Sequence, residues 1–403
     1  MKPKVRILYV IDALGAGGVE SQLVDLIAHL DRERFDPHVL ALYGAPLRPP
    51  HFLDHLRALD TPVRMLNLGM DAGGKVQAVR HIIAATWSLR PHIMQAESYH
   101  SNLLTRAARP ALPLAVRLVG AIRVAYTARQ LRYERLNSWL CDVIVASADY
   151  LRAQLIEEAR VAPRRVVVIP NSVDVERFGS AAMRGSETRA RIAPAKRRLL
   201  ISVGRISQQK RMDLFAEALG LLKREGALLD DVRVAMIGPS EEQAAQQALD
   251  AVLTREGLSE LVVRIPSVSD PEAYFAACDA SVLASGFEGL PIVALESLAA
   301  GKPVLLAAGA NLANVIEPGE TGWVAPTNAP TDLAAALRQL LAASDEELAE
   351  MSSRCRAAAE RYSIETLAHR YMAVYAALTS PGSSGRAADR TAALTEALTE
   401  ATR

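Results

Sequence analysis

The sequence predicts two doubly wound α/β domains in tandem, and three observations carry that expectation. Short apolar runs alternate with amphipathic helical stretches from residue 5 to residue 325, the pattern of parallel sheets covered by helices. The alternation pauses over 179–197, which is polar and rich in Ala, Gly and Arg, and restarts at Leu199. In both halves glycine-bearing turns follow strand ends, where an open α/β sheet binds its ligands.

The chain has 403 residues, 50% hydrophobic and 23% charged, with a formal net charge of +1. That length supports two or three domains, and the charge balance argues against nucleic acid as a partner. Cys141, Cys278 and Cys355 are far apart and lack metal-ligand spacing, which fits a reduced, cytoplasmic compartment. The apolar run Ile7–Ile11 is too short for a signal peptide and is interrupted by Asp12. No stretch reaches the length of a membrane span.

Taken in order, residues 5–11 read as a buried strand. The turn Leu14-Gly15-Ala16-Gly17-Gly18-Val19-Glu20 follows, then a helix to about Leu30 with Val19, Leu23, Leu26 and Ile27 on its apolar side. A dinucleotide fold needs a third glycine where Glu20 stands and an acid after the second strand, where Tyr43-Gly44 stands. NAD binding is therefore not expected. Gly69-Met70-Asp71-Ala72-Gly73-Gly74-Lys75 has the spacing of a P-loop, but Val76 replaces the magnesium-binding hydroxyl; it reads as a loop into the helix 75–89. His51 and His55 lack a third ligand, so no metal site is expected.

Further strands are expected at 63–66, 92–95, 114–120, 142–146 and 165–169, then at 199–203, 232–237, 261–265, 280–284, 303–306 and 322–325. The expected division is 1–178 for the first domain, 179–197 for a linker and 198–360 for the second domain. A helix over 361–380 then returns to the first domain, and 381–403 is a mobile tail.

The most informative stretch is Ser285-Gly286-Phe287-Glu288-Gly289-Leu290-Pro291-Ile292-Val293-Ala294-Leu295-Glu296-Ser297. It reads as strand, tight turn and helix, with Gly286 and Gly289 easing the turn and Pro291 at the first helical position. Amides of Gly289 and Leu290 at a helix start can receive an anion. Glu288 and Glu296 would be repelled by that anion and so reach past it to hydroxyl groups. A ligand with sugars on both sides of its phosphates fits.

Four features coincide: Gly17-Gly18-Val19-Glu20, Pro170-Asn171-Ser172-Val173-Asp174, Gly204-Arg205 with Lys210, and Glu288 with Glu296. Together they resemble the GT-B retaining glycosyltransferases of the glycosyltransferase 4 group, nearly end to end. The resemblance implies two Rossmann-like domains facing across a cleft. It also implies transfer of a sugar from a nucleotide diphosphate, UDP- or GDP-type, to an acceptor hydroxyl in polysaccharide, glycolipid or other cell-envelope glycan synthesis. It implies no cofactor and no metal. By the same resemblance Arg205 and Lys210 hold the diphosphate, Glu296 the ribose and Glu288 the transferred sugar. Gly17, Gly18, Gly289, Leu290 and Pro291 complete the donor cradle. Negative charge on the leaving diphosphate would be met by two cations and a helix N-terminus.

The chain departs from the family where a histidine contacts the donor sugar. Gly120-Ala121-Ile122-Arg123 stands there, leaving Arg123 and His100 as alternative acceptor or sugar contacts, with a helix-capping role open for His100. A nucleotide-sugar epimerase and a non-catalytic binding protein are the rival readings. Arg129, Arg132 and Arg135 with Trp139 leave two further readings open. One is a helix that lies on an anionic membrane and serves a lipid-linked acceptor at the cytoplasmic face. The other is a solvated basic face with Trp139 packed inward.

Overall fold

The computed structural model describes residues 3–15, 17–44, 52–195, 197–226 and 230–380. His51 and the expected tail from 381 lie outside them. The chain divides into two units, one running to Asn171 and resuming at Ile364, the other spanning Ser172–Ser363.

The first unit begins with β1 (Val5–Ile11), α1 (Gly18–Ala28), β2 (Phe35–Tyr43), α2 (Phe52–Ala58), β3 (Val63–Leu68) and α3 (Ala72–Leu89). It continues with β4 (Ile93–Ala96), α4 (Tyr99–Ala108), β5 (Arg117–Ile122), α5 (Ala128–Asn137), β6 (Val143–Ala146), α6 (Asp149–Glu157) and β7 (Val166–Val168). All strands are parallel, in the order β3-β2-β1-β4-β5-β6-β7. Helices on both faces require strands apolar on both sides, and Ile7, Tyr9 and Val10 in β1 are fully buried. Pro37 is tolerated inside β2 because pairing with β3 starts only at Val39.

The second unit opens with α7 (Val175–Gly179) and α8 (Ala182–Ile192). The expected linker over 179–197 is therefore corrected: most of it is helical. Arg184 Nη1 donates to Glu272 at 3.0 Å, and Arg189 Nη1 donates to the Ala277 carbonyl at 2.9 Å. Gly185 lets the backbones approach, since a Cβ there would lie 2.7 Å from Ala276 Cβ. Those arginines looked like linker polarity in the sequence, but they are the helix's attachment. Next come β8 (Arg198–Val203), α9 (Met212–Arg224), β9 (Val232–Ile237), α10 (Gln243–Arg255), β10 (Val262–Ile265) and α11 (Pro271–Ala277). The unit closes with β11 (Ala280–Leu283), α12 (Ile292–Ala299), β12 (Val304–Leu306), β13 (Gly322–Val324), α13 (Pro330–Ala342) and α14 (Asp345–Glu360). Its parallel sheet runs β10-β9-β8-β11-β12-β13.

The last described helix, α15 (Ile364–Thr379), belongs to the first unit and buries Tyr371 and Tyr375 in its core. A polar chain is buried with them. Tyr375 donates to Gln95 Oε1 at 2.7 Å, and Gln95 donates to Glu97 at 2.6 Å. Arg123 donates to Glu97 at 2.8 Å, to Asn171 Oδ1 at 2.9 Å and to the Tyr371 hydroxyl at 3.4 Å. Burial by itself would lower the Arg123 pKa, but Tyr371 and Glu97 outweigh it and raise it. Burial pushes the Tyr371 hydroxyl up to about 12.

The outer side of α5 settles the choice left open for Trp139. Arg129, Arg132 and Arg135 are exposed while Leu131 and Glu134 are buried. Leu136 is 71% and Trp139 65% exposed, with the Trp139 indole N–H donating to the Leu136 carbonyl at 3.0 Å. Inward packing of Trp139 is thereby overturned. Glu134 points in because Arg106, itself 1% exposed, pairs with it at 2.7 Å and fixes α5 against α4.

The Arg123–Glu97 pair predicts a stability effect. Removing one partner of a buried pair costs roughly 3 kcal/mol, so Glu97→Gln should lower the first unit's melting temperature by roughly 6 to 12 °C. The double change Glu97→Leu with Arg123→Met should recover part of that loss. Differential scanning calorimetry reads both, and an unchanged melting temperature in Glu97→Gln contradicts the assignment.

Candidate functional site

In the second unit the strand order reverses between β8 and β11, and ligands of such sheets sit outside the carboxyl ends at that point. Arg205 and Lys210 stand between β8 and α9. Glu288, Gly289, Leu290, Pro291 and Glu296 stand between the end of β11 and the second turn of α12. Residues separated by about eighty positions are thus neighbours because β8 and β11 are adjacent strands.

Lys210 is led to its place by backbone. Gly204 has φ +146°, and a Cβ on it would lie 3.4 Å from Lys210 Cε, so the lysine stem runs along bare glycine. The Lys210 ammonium ends 2.6 Å from Glu288 Oε1, with the two side chains 18% and 7% exposed. A carboxylate so enclosed is costly unless paired, and Lys210 supplies the pairing. Arg205 is more open: its guanidinium lies 3.3 Å from Glu241, with both side chains over two-fifths exposed. Such a surface pair is worth little and exchanges readily.

The loop carrying Glu288 is held from three directions. Gly286 N–H donates to the Gln209 carbonyl at 2.8 Å, and Glu288 N–H donates to the Gly309 carbonyl at 3.0 Å. Asn328 accepts from Gly309 N–H at 2.9 Å and donates to the Gly286 carbonyl at 3.3 Å. A Cβ on Gly309 would lie 1.9 Å from the Gly286 oxygen. The glycine this loop requires is therefore Gly309, which the sequence reading passed over, while Gly286 itself has no left-handed φ.

Pro291 is also displaced from its expected position. It is the N-cap of α12, and the helix begins at Ile292. Gly289 and Leu290 precede the cap, so their amides belong to the loop rather than to the first helical turn. The far end of α12 closes as expected on Gly301, with φ +70°. Gly301 N–H donates to Leu298 and Lys302 N–H to Ser297, the Schellman pattern.

The remaining sequence-selected residues lie in the first unit. Gly17 is the N-cap of α1, Gly18 its first residue, and the Glu20 carboxylate folds back so closely that a Cβ on Gly17 would meet it at 2.4 Å. His100 is the second residue of α4, with its ring Nδ1 3.1 Å from Asp12 Oδ2. The other Asp12 oxygen accepts from the Ser101 amide at 2.7 Å. Asp12, noted in the sequence only as a break in an apolar run, thus caps α4 and orients His100. Arg123 is enclosed by Glu97, Asn171 and Tyr371 and is 8% exposed. That enclosure leaves it a core role in place of the sugar contact considered from the sequence.

A groove of about 460 Å³ opens beside His100. Tyr43, Lys75, Tyr99, Arg129 and Tyr133 line it together with His100. Burial raises the Tyr43 and Tyr99 hydroxyl pKa values, Asp12 adding to the effect on Tyr43, so both remain neutral donors near pH 7. Lys75 was set aside in the sequence as part of a false P-loop. In the fold, Asp71 caps α3 by accepting from the Gly74 amide at 2.9 Å, which places Lys75 on the first turn. Among the described residues, no group of three or more His, Cys, Asp or Glu is placed to hold a metal ion.

Two family models match the chain: "Glycosyltransferase Family 4" over residues 16–177 and "Glycosyl transferases group 1" over residues 185–361. Among curated proteins, the D-inositol 3-phosphate glycosyltransferase of Kineococcus radiotolerans is 36% identical over 214 residues, covering 50% of this chain and 49% of that one. Its counterpart in Geodermatophilus obscurus is 32% identical over 211 residues, covering 49% of this chain and 47% of the relative. The chain thus spans about half the length of the curated relatives it matches. Among solved structures, Anabaena HepE in complex with UDP-glucose superposes with a TM-score of 0.77 at 19% identity, over 91% of this chain and 98% of that one. Sucrose-phosphate synthase from Thermosynechococcus elongatus superposes at 0.76 and 17% identity, over 93% and 99%. At those identities the likeness is one of fold.

Proposed function

Because the chain belongs to the GT-B glycosyltransferases of the glycosyltransferase 4 group, we propose that it moves a sugar from a UDP- or GDP-type nucleotide diphosphate to an acceptor hydroxyl, with retention. The observation that carries the proposal is the Lys210–Glu288 pair at the β8/β11 reversal, with Arg205 beside it on the same loop. The ammonium and the guanidinium meet the two phosphates, Arg205 with its planar fork and Lys210 as a point charge. As the glycosidic bond breaks, charge builds on the leaving diphosphate, and preorganised cations stabilise it there. Glu288, released from Lys210 by the phosphate, accepts hydrogen bonds from hydroxyls of the transferred sugar. Glu296, on the second turn of α12, does the same for the ribose. The departing phosphate oxygen takes the acceptor's proton, so the protein needs no separate base.

Each of Arg205→Ala and Lys210→Ala should lower turnover by roughly two to three orders of magnitude. Activity should survive chelation of divalent ions, since protein cations neutralise the diphosphate. Radiolabelled sugar transfer by folded variants, with and without chelator, checks both points. Near-normal turnover in either variant removes that residue from the mechanism.

For the acceptor, we read the chain as acting in polysaccharide, glycolipid or other cell-envelope glycan synthesis, on a glycan or lipid-linked hydroxyl. We place it in the cytoplasm and peripheral to an anionic membrane face. Exposed Arg129, Arg132 and Arg135 beside exposed Leu136 and Trp139 support that placement, because cationic and aromatic side chains together favour an interfacial helix. Each arginine near such a surface is worth about 1 kcal/mol, so changing all three to Gln should weaken vesicle binding by roughly two orders of magnitude. Co-sedimentation with anionic liposomes at low and high salt reads it, and a triple variant that binds like wild type points to a soluble acceptor.

A further inference from the structure

Helices α3, α4 and α5 lead into β4, β5 and β6, which are adjacent and parallel. The ends of all three helices therefore come to the amino edge of the first sheet, away from His100. Trp87, near the end of α3, is 56% exposed, and its indole N–H donates to the Ala111 carbonyl at 3.0 Å. Ala111 closes the short turn after α4, and Leu114, further along the same connection, is 87% exposed. In the last turn of α4, Arg106 donates to Glu134 and to Asn137 Oδ1, both at 2.7 Å. Those bonds bring the end of α5 alongside, with exposed Leu136 and Trp139. Trp87, Leu114, Leu136 and Trp139 thus form an apolar corner at that edge.

The charge around the corner has one sign. From Ala72 to Ala148 the sequence holds Lys75 and nine arginines against three acids, Glu97, Glu134 and Asp142. Glu97 and Glu134 are buried against Arg123 and Arg106, and Asp142 accepts from Arg117 and from the Leu118 amide. Arg80, Arg90, Arg132 and Arg135 are exposed. Exposed Glu157 and Glu158 end the next helix, α6, and exposed Arg160 and Arg164 follow them. An exposed indole ordinarily keeps its N–H on water and would forfeit that bond on burial. Here Trp87 and Trp139 each give their only donor to a backbone carbonyl, so both rings can leave water without losing a hydrogen bond.

Resting on the membrane placement above, we propose that this corner is the apolar anchor of that contact. Trp87, Leu114, Leu136 and Trp139 enter the headgroup region of an anionic bilayer, and the surrounding arginines stay with its phosphates. Trp settles at that level of a bilayer, and exposed arginines beside it complement an anionic surface. A second copy of the chain would set the same positive corner against itself, which like charges oppose. The arginines of α5 alone give an adsorption that salt screens. The corner adds buried apolar surface, which salt does not screen.

The test uses the full chain and vesicles of phosphatidylglycerol and phosphatidylcholine, with and without bromine on the acyl chains. Brominated vesicles should quench the tryptophan emission, and Trp139→Phe should keep part of that quenching, because Trp87 still reports it. Trp323, 9% exposed in the core of the second unit, is the unquenched reference. Changing Trp87 and Trp139 together to Phe should therefore abolish the effect. In co-sedimentation Leu114→Ser, a change at an exposed position, should weaken binding by about tenfold, the loss of one apolar side chain from the bilayer. That loss should persist at high salt, whereas the loss on changing Arg129, Arg132 and Arg135 shrinks there. Wild type that binds these vesicles while Trp87 stays unquenched in Trp139→Phe overturns the anchor and leaves the arginine placement standing. Leu114→Ser that binds as wild type does has the same meaning. Wild type that binds no vesicles overturns both. Self-association in solution that Leu114→Ser abolishes assigns the corner to a second copy and also overturns the anchor. UDP or GDP affinity, measured alongside, should stay at the wild-type value in every variant. Its absence from wild type would sink the transferase reading and leave the anchor untouched.

Discussion

An ammonium and a carboxylate 2.6 Å apart, Lys210 and Glu288, are the contact on which the loops at the β8/β11 reversal of the second unit depend. Neither charge would be stable so deep alone. Each is where it is because strands β8 and β11 are neighbours, although about eighty residues separate them in sequence. In the mechanism proposed above, the pair exchanges partners. In that proposal a diphosphate would offer the lysine a stronger partner than one carboxylate does, and sugar hydroxyls would then satisfy the carboxylate. The clamp of Gln209, Gly309 and Asn328 holds the loop that carries Glu288.

The first unit handles buried charge differently. Arg123 and Glu97 are paired permanently, joined by Gln95, Asn171, Tyr371 and Tyr375 into a chain that binds α15 to the sheet. Asn171 is the last residue before the chain crosses to the second unit, and α15 begins where it returns. The network therefore anchors both crossing segments from the first unit's side. A second buried pair, Arg106 with Glu134, does for α5 what this one does for α15, and so shapes the groove wall that carries Arg129 and Tyr133.

The parallel sheets and the strand-turn-helix stretch from β11 to α12 were legible in the sequence because both depend on local signals. Apolar runs mark strands, and Glu288 and Glu296 keep a spacing that the turn and helix translate directly into space. What the sequence could not reveal depends on which distant residues meet. Arg184 and Arg189 looked like linker polarity until Glu272 and the Ala277 carbonyl were placed beside them. Arg123 looked available for a sugar until Glu97, Asn171 and Tyr371 closed around it. Lys75 looked like a failed phosphate loop, and Tyr43 like the end of a strand, until the fold brought both to one groove. Gly309 carries no motif at all; only the carbonyl of Gly286, 1.9 Å from where its Cβ would be, makes it necessary.

Titration of UDP and GDP into the full chain, comparing wild type with Lys210→Met and Glu288→Gln, tests the exchange most directly. Lys210→Met should weaken the better nucleotide by more than about tenfold, the worth of one charge-assisted phosphate contact. Glu288→Gln should bind that nucleotide as tightly as wild type or tighter, since the lysine no longer has to leave a carboxylate. Equal affinity in wild type and Lys210→Met would contradict the account, as would a Glu288→Gln variant that loses as much affinity as Lys210→Met.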